Sequence, residues 1–85
     1  MLAFDLYMKQ LRRSETAFSS FFTNHVASAM HRYWAASRPG DYAKLDLDDA
    51  WMQTYRHEVP WAMGQADTML ARLVRYVDAH PSYQL

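Results

Sequence analysis

Four histidines are the side chains of this 85-residue sequence best suited to binding a metal or transferring a proton. His25 and His31 are six positions apart, which on a helix separates them by about 120° and prevents them from sharing one ion without a third element. The sequence contains neither an HExxH motif nor a Glu-x-x-His pair. A helical accessory subunit that binds a metal or cofactor through His25, His57 or His80 is therefore only an alternative, and no cofactor is predicted.

The best candidate for acid–base chemistry is His57, which precedes Glu58 and lies beside Pro60. Catalysis there is not the favoured interpretation, because a partly buried Glu more often pairs with a nearby Arg or backbone amide. Serines are plentiful, but a serine on a regular helix face lacks the strained turn that exposes a nucleophile. The sequence therefore does not predict an enzyme.

Ligand-binding motifs are also incomplete. Asp46-x-Asp48 begins like a calcium loop, but Trp51 occupies the sixth position, where the sharp turn of such a loop needs Gly. Gly64 stands alone, without the spacing of any nucleotide-binding motif. Neither calcium nor nucleotide binding is predicted.

The overall charge argues against nucleic acid as a partner. Nine Lys and Arg balance nine Asp and Glu, and Arg72 and Arg75 are accompanied by Asp67 and Asp78 on the same predicted helix. A face of mixed sign repels phosphates as well as attracting them, which disfavours DNA binding. A small helix-turn-helix DNA-binding regulator is therefore only the second alternative. No stretch reaches the roughly 20 apolar residues of a membrane span, and we expect a cytoplasmic protein that does not bind membranes.

Few residues interrupt regular structure, and this scarcity predicts an all-α chain. No Gly or Pro occurs between Leu2 and Ala36, where apolar side chains recur with helical spacing. The sequence predicts one long helix over 2–36, with a break near Ser14 as the alternative because Ser14 could cap a new helix. The residues that share its apolar face are Phe4, Tyr7, Met8, Leu11, Phe18, Phe22, His25, Ala29 and Tyr33.

Two shorter helices are predicted to follow within the same single domain, which spans residues 1–85. Pro39 and Gly40 end the first helix, Asp46 is a good N-cap for the second, and Pro60 suits the first turn of the third. The predicted order is a turn over 37–45, a helix over 47–58, a kink at 59–60, a helix over 61–79 and a short tail over 80–85.

The expected architecture is a hairpin or bundle in which the long helix packs against the two shorter ones. Such a hairpin has only two layers, so the apolar stripe around Val26, Met30 and Trp34 stays uncovered unless another chain packs on it. A homodimer covers it most simply, whereas a break at Ser14 would allow a compact monomer of four short helices.

Recognition of another protein is the function that this composition favours, because aromatic residues and Met are common in interfaces. Trp61 lies off the apolar stripe of its helix, so it either anchors an interface or fills the corner at Pro60. The residues of that stripe are Ala62, Ala66, Met69, Leu70, Leu73 and Val77. We expect a non-enzymatic adaptor or inhibitor that regulates a larger protein, a class that includes antagonists encoded by phage or mobile elements. The candidate partner-binding residues are Val26, Met30, Trp34, Tyr42, Trp61 and Tyr83.

Overall fold

A computed structural model describes residues 1–85, and helices are the only regular secondary structure in it. The predicted all-α class is therefore confirmed. Residues 49–79 form one nearly continuous helical segment, which only two turn residues interrupt. It is the third helical segment of the chain. The helices are α1 (Leu2–Arg13), α2 (His25–Ser37), α3 (Asp49–Tyr55) and α4 (Glu58–Ala79), and a 3-10 turn (Pro39–Asp41) follows α2.

The prediction of a long N-terminal helix is wrong, because α1 ends at Arg13 and the longest helix is the 22-residue α4 near the C-terminus. The alternative break at Ser14 is correct in position. Ser14 ends α1, however, and does not begin a new helix, because its backbone is extended and its Oγ donates to the carbonyl of Gln10 at 2.7 Å. Residues 14–24 are not helical.

The composition of residues 14–24 explains why the helix stops. Five of these eleven residues carry hydroxyl groups, which bond to neighbouring backbone groups and so compete with helical hydrogen bonds. Tertiary contacts also hold this segment out of helical geometry. The Tyr83 hydroxyl donates to the Thr16 carbonyl at 3.0 Å, and Phe21 packs into a core of aromatic side chains.

The two later helices begin and end at different residues from those predicted. The N-cap of α3 is Asp48, not Asp46, because Asp48 Oδ1 accepts from the Ala50 amide at 3.1 Å. The turn between α3 and α4 lies at residues 56–57, not 59–60. Pro60 is then the third residue of α4, where a missing N–H removes no helical hydrogen bond.

The chain forms two compact units, whose boundary falls inside α4. The terminal unit comprises Met1–Thr23 and Thr68–Leu85, and the central unit comprises Asn24–Asp67. The sequence predicts a single domain and gives no indication of this division. We describe each unit separately.

The core of the terminal unit lies between α1 and the C-terminal half of α4. Arg72 pairs with Asp5, Tyr76 donates to the Leu11 carbonyl, and the tail residue Tyr83 donates to the Thr16 carbonyl. These partners are 65–67 positions apart in every case, so α1 and this half of α4 run parallel. A hairpin, one of the two arrangements expected from the sequence, needs antiparallel helices and is therefore wrong for this unit. Its buried core residues are Phe4, Met8, Leu11 and Met69, against which Tyr7, Phe21, Leu73 and Tyr76 pack.

The central unit is held together by aromatic stacking between α2 and α3. Tyr33 stacks on Tyr55 with ring centroids 4.8 Å apart, and Trp51 lies against both rings. His25 Nε2 lies 3.0 Å from the Ala62 carbonyl oxygen, which can only accept, so this nitrogen carries the proton. These contacts fix α2 against α3 and the first part of α4. The buried residues of this unit are Ala36, Val59 and Ala62.

Candidate functional site

Three of the six predicted partner-binding residues meet in the central unit. Met30, Trp34 and Tyr42 line one open depression of about 400 Å³, which we call the Met30 depression. Trp34 is half-buried, and its indole Nε1 donates to Asp41 Oδ2 at 2.9 Å. Met30 and Tyr42 are 37% and 44% exposed, so this surface combines accessible apolar groups with a tryptophan held in place.

The other predicted residues do not belong to this depression. Val26 is half-buried in α2 and does not line it. Trp61 is 62% exposed, whereas its neighbours Val59 and Ala62 are buried, so Trp61 does not fill the corner at Pro60.

Tyr83 belongs to the terminal unit and is half-buried. Its hydroxyl holds the Thr16 carbonyl, and its ring centroid lies 6.0 Å from that of Tyr76. These contacts tie the C-terminal tail to residues 14–24. In this position Tyr83 has a structural role.

Phe18 and Phe22 are the exposed aromatic residues that sequence reasoning missed. Helical periodicity placed both in the buried face of the first helix, yet they are 84% and 87% exposed. Phe21 is the one that packs inward, with its ring centroid 5.3 Å from Phe4 and 5.2 Å from Tyr7. The signal in the sequence is the density of hydroxyl residues around them, which disfavours the helix that the apolar spacing suggests.

Phe18 also forms part of a groove of about 580 Å³ in the terminal unit, which we call the uncharged groove because no Asp, Glu, Lys, Arg or His lines it. Some of its polar groups form hydrogen bonds within the protein. Ser19 Oγ donates to the Tyr7 hydroxyl at 3.0 Å, and Tyr76 donates to the Leu11 carbonyl at 3.3 Å.

A second groove, of about 480 Å³, lies in the central unit and has the opposite character. We call it the cationic groove because Arg38 and Arg56 line it, together with His57, and no carboxylate does. Arg56 Nε donates to His57 Nε2 at 3.0 Å, so this His57 nitrogen is unprotonated and accepts. No hydrogen bond or ion pair joins His57 to Glu58, and the acid–base pair considered from the sequence is not assembled.

A third set of basic side chains lies in the terminal unit, where Arg12, Arg72, Arg75 and His80 surround a small depression. Arg72 is already paired with Asp5. The depression lies near the C-terminal ends of both α1 and α4, where cations are stabilised by the negative end of the helix dipole. This placement favours a structural role for these cations over phosphate binding.

No group of three or more His, Cys, Asp or Glu side chains lies close enough together to hold a metal ion. The helices are also too short or too polar for any of them to cross a membrane. No protein-family model, curated protein or solved structure matches this chain.

Proposed function

We propose that this chain is a non-enzymatic protein-interaction module, a small adaptor or inhibitor that binds a larger protein. The observation that carries the proposal is the exposure of Phe18 and Phe22, at 84% and 87%. Protein interfaces are dominated by a few buried aromatic anchors. Two phenylalanines four positions apart and almost fully in solvent are suited to that role.

The segment that carries these phenylalanines is held at several points. Phe21 packs against Phe4 and Tyr7, the Thr16 carbonyl accepts from Tyr83, and Ser19 donates to Tyr7. A segment that is already ordered loses less conformational entropy when a partner binds. Burying each phenylalanine would contribute about 1.5–3 kcal/mol relative to leaving it in water. Both effects favour binding through this segment.

Substitution of Phe18 and Phe22 by Ser tests this proposal. We expect the double variant to keep its helix content, because both side chains are exposed, and to lose about tenfold or more in affinity for the captured partner, as hot-spot truncations do. The measurement is capture from a lysate of the source organism by the immobilised chain, followed by titration of the captured protein. Leu6→Ser is the matched control, since Leu6 is 54% exposed on α1.

A partner that binds the double variant and the Leu6→Ser variant equally would contradict this assignment. Capture that fails for the wild-type chain as well, at micromolar concentrations of bait, would argue against the proposed function itself.

A second copy of the chain is the proposed occupant of the Met30 depression. Met30, Trp34 and Tyr42 present apolar surface there, and a closed dimer buries the same patch on both partners. We expect the wild-type chain to sediment at about 20 kDa, twice the 10.0 kDa of one chain.

Met30→Asp is expected to convert the dimer into a monomer with unchanged helix content, because each interface would then bury an unpaired carboxylate. Sedimentation velocity and circular dichroism measure the two properties. Met63→Asp is the control, since Met63 is 51% exposed on α4 and does not line the depression. Trp34→Asp is less informative, because it would place a carboxylate beside Asp41. A wild-type chain that remains monomeric at 100 µM would rule this dimer out.

A further inference from the structure

The cationic groove of the central unit combines positive charge with apolar walls. The polar groups include those of Arg38, Arg56 and His57, and the apolar surface includes Trp34 and Met52. Its volume of about 480 Å³ falls within the range of small-molecule sites, which is roughly 300–1,000 Å³. Its lining therefore suits a ligand that has both a charged and an apolar part.

Neither arginine in this groove is neutralised within the protein. Neither Arg38 nor Arg56 forms an ion pair. Arg56 uses only its Nε–H, on His57, so the four N–H donors of its two terminal nitrogens remain for a ligand. The neighbouring carboxylates Asp41 and Glu58 do not line the groove, and Asp41 already accepts from Trp34.

Stabilisation of helix C-termini explains only part of the presence of these two arginines. Arg38 and Arg56 follow the last residues of α2 and α3, where a cation can stabilise the terminal carbonyls. The Arg56 carbonyl, however, accepts from Ser37 Oγ at 3.0 Å. The Trp34 carbonyl accepts from the Arg38 amide at 2.8 Å. These carbonyls are thus satisfied without either guanidinium group.

We propose that the cationic groove binds a small organic anion, whose carboxylate or sulfonate group is held by Arg38 and Arg56 and whose aromatic body lies against Trp34 and Met52. Guanidinium groups bind such anions through charge-assisted hydrogen bonds, and the apolar walls contribute through removal of surface from water. This site lies in the central unit and does not depend on the proposed protein partner of Phe18 and Phe22, although it shares Trp34 with the Met30 depression.

The test uses two fluorescent probes that differ only in their charged group, 1-anilinonaphthalene-8-sulfonate and uncharged N-phenyl-1-naphthylamine. Each is titrated against the wild-type chain and against Arg38→Gln and Arg56→Gln. Both arginines are exposed, so folding should be kept, and circular dichroism verifies it. Arg75→Gln, in the terminal unit, is the control for a general loss of charge.

We expect each groove variant to bind the sulfonate probe about five- to tenfold more weakly, the effect of losing one charge-assisted hydrogen bond at a partly exposed site. Affinity for the uncharged probe should change less than twofold, and Arg75→Gln should bind both probes as the wild type does. Raising the salt concentration should weaken only the sulfonate probe, because salt screens exposed charges.

Equal affinity of the wild type and both groove variants for the sulfonate probe would overturn the proposal. So would the absence of wild-type binding up to 1 mM probe, or a loss of the same size in Arg75→Gln. If one groove variant fails to fold, the other decides the outcome.

Discussion

Replacement of Phe4 by Ala should destabilise the chain by about 3–5 kcal/mol, the usual loss when a buried phenylalanine is truncated and a cavity remains. Phe4 is 1% exposed and packs against Phe21 and Tyr7, while the Arg72 guanidinium lies 4.9 Å from its ring centroid. A domain of this size has only about 5–15 kcal/mol of stability in total. The melting temperature should therefore fall by more than 10 °C, at about 4–8 °C per kcal/mol.

The matched control for this substitution is Phe18→Ala, which removes the same atoms from a side chain that is 84% exposed. We expect the stability of this variant to lie within about 0.5 kcal/mol of the wild type. Urea denaturation followed by circular dichroism at 222 nm measures both variants. Equal losses for Phe4 and Phe18 would instead favour the continuous first helix predicted from apolar spacing, in which both residues share one buried face.

Replacement of Ala71 by Pro should cost about 3 kcal/mol or more, because Pro in a helix interior removes one backbone hydrogen bond and clashes with the preceding turn. Ala71 is an exposed residue in the interior of α4. Its side chain makes no core contact that the substitution would remove, so the loss reports on the backbone. Thermal and urea denaturation give the change in unfolding free energy.

Ala17→Pro is the control, because Ala17 is also exposed but lies among the non-helical residues 14–24. Its amide donates no loop or turn hydrogen bond, so we expect a loss below about 1 kcal/mol. A loss for Ala17→Pro as large as that for Ala71→Pro would contradict the non-helical conformation of residues 14–24.

The all-α class and much of the core could be predicted from the sequence. The spacing of Phe4, Met8 and Leu11 places them on one helix face, and all three are buried. Met69 likewise lies on the predicted apolar stripe of the last helix and is buried. Helical periodicity was informative in these segments because the chain there is helical.

The end of α1 could not be predicted from the same periodicity. Phe18 and Phe22 continue the apolar spacing of α1 into a segment that does not form a helix. Phe21, and not Phe18 or Phe22, packs into the core. Its tertiary contacts with Phe4 and Tyr7 decide this. No local pattern reports such contacts, and for this reason the exposed phenylalanines were missed.

The candidate sites could likewise be predicted only where their residues are close in sequence. Met30 and Trp34 are four positions apart on α2, so their shared face followed from helix geometry. Tyr42 joins them only because of the path the chain takes through the 3-10 turn after α2. Arg38, Arg56 and His57 come from two turns that are distant in sequence, and their common groove is visible only in three dimensions.

The parallel pairing of α1 with the end of α4 has a consequence for synthesis of the chain. Asp5 and Leu11 find their partners, Arg72 and Tyr76, only after more than sixty further residues have been translated. The central unit can form earlier, since its segments are contiguous. Until the partners on α4 have been translated, the apolar face of α1 must stay in water, bind a chaperone or pack transiently elsewhere. A stop codon shortly after Asp67 would leave that face without its native partner while keeping every residue of the central unit.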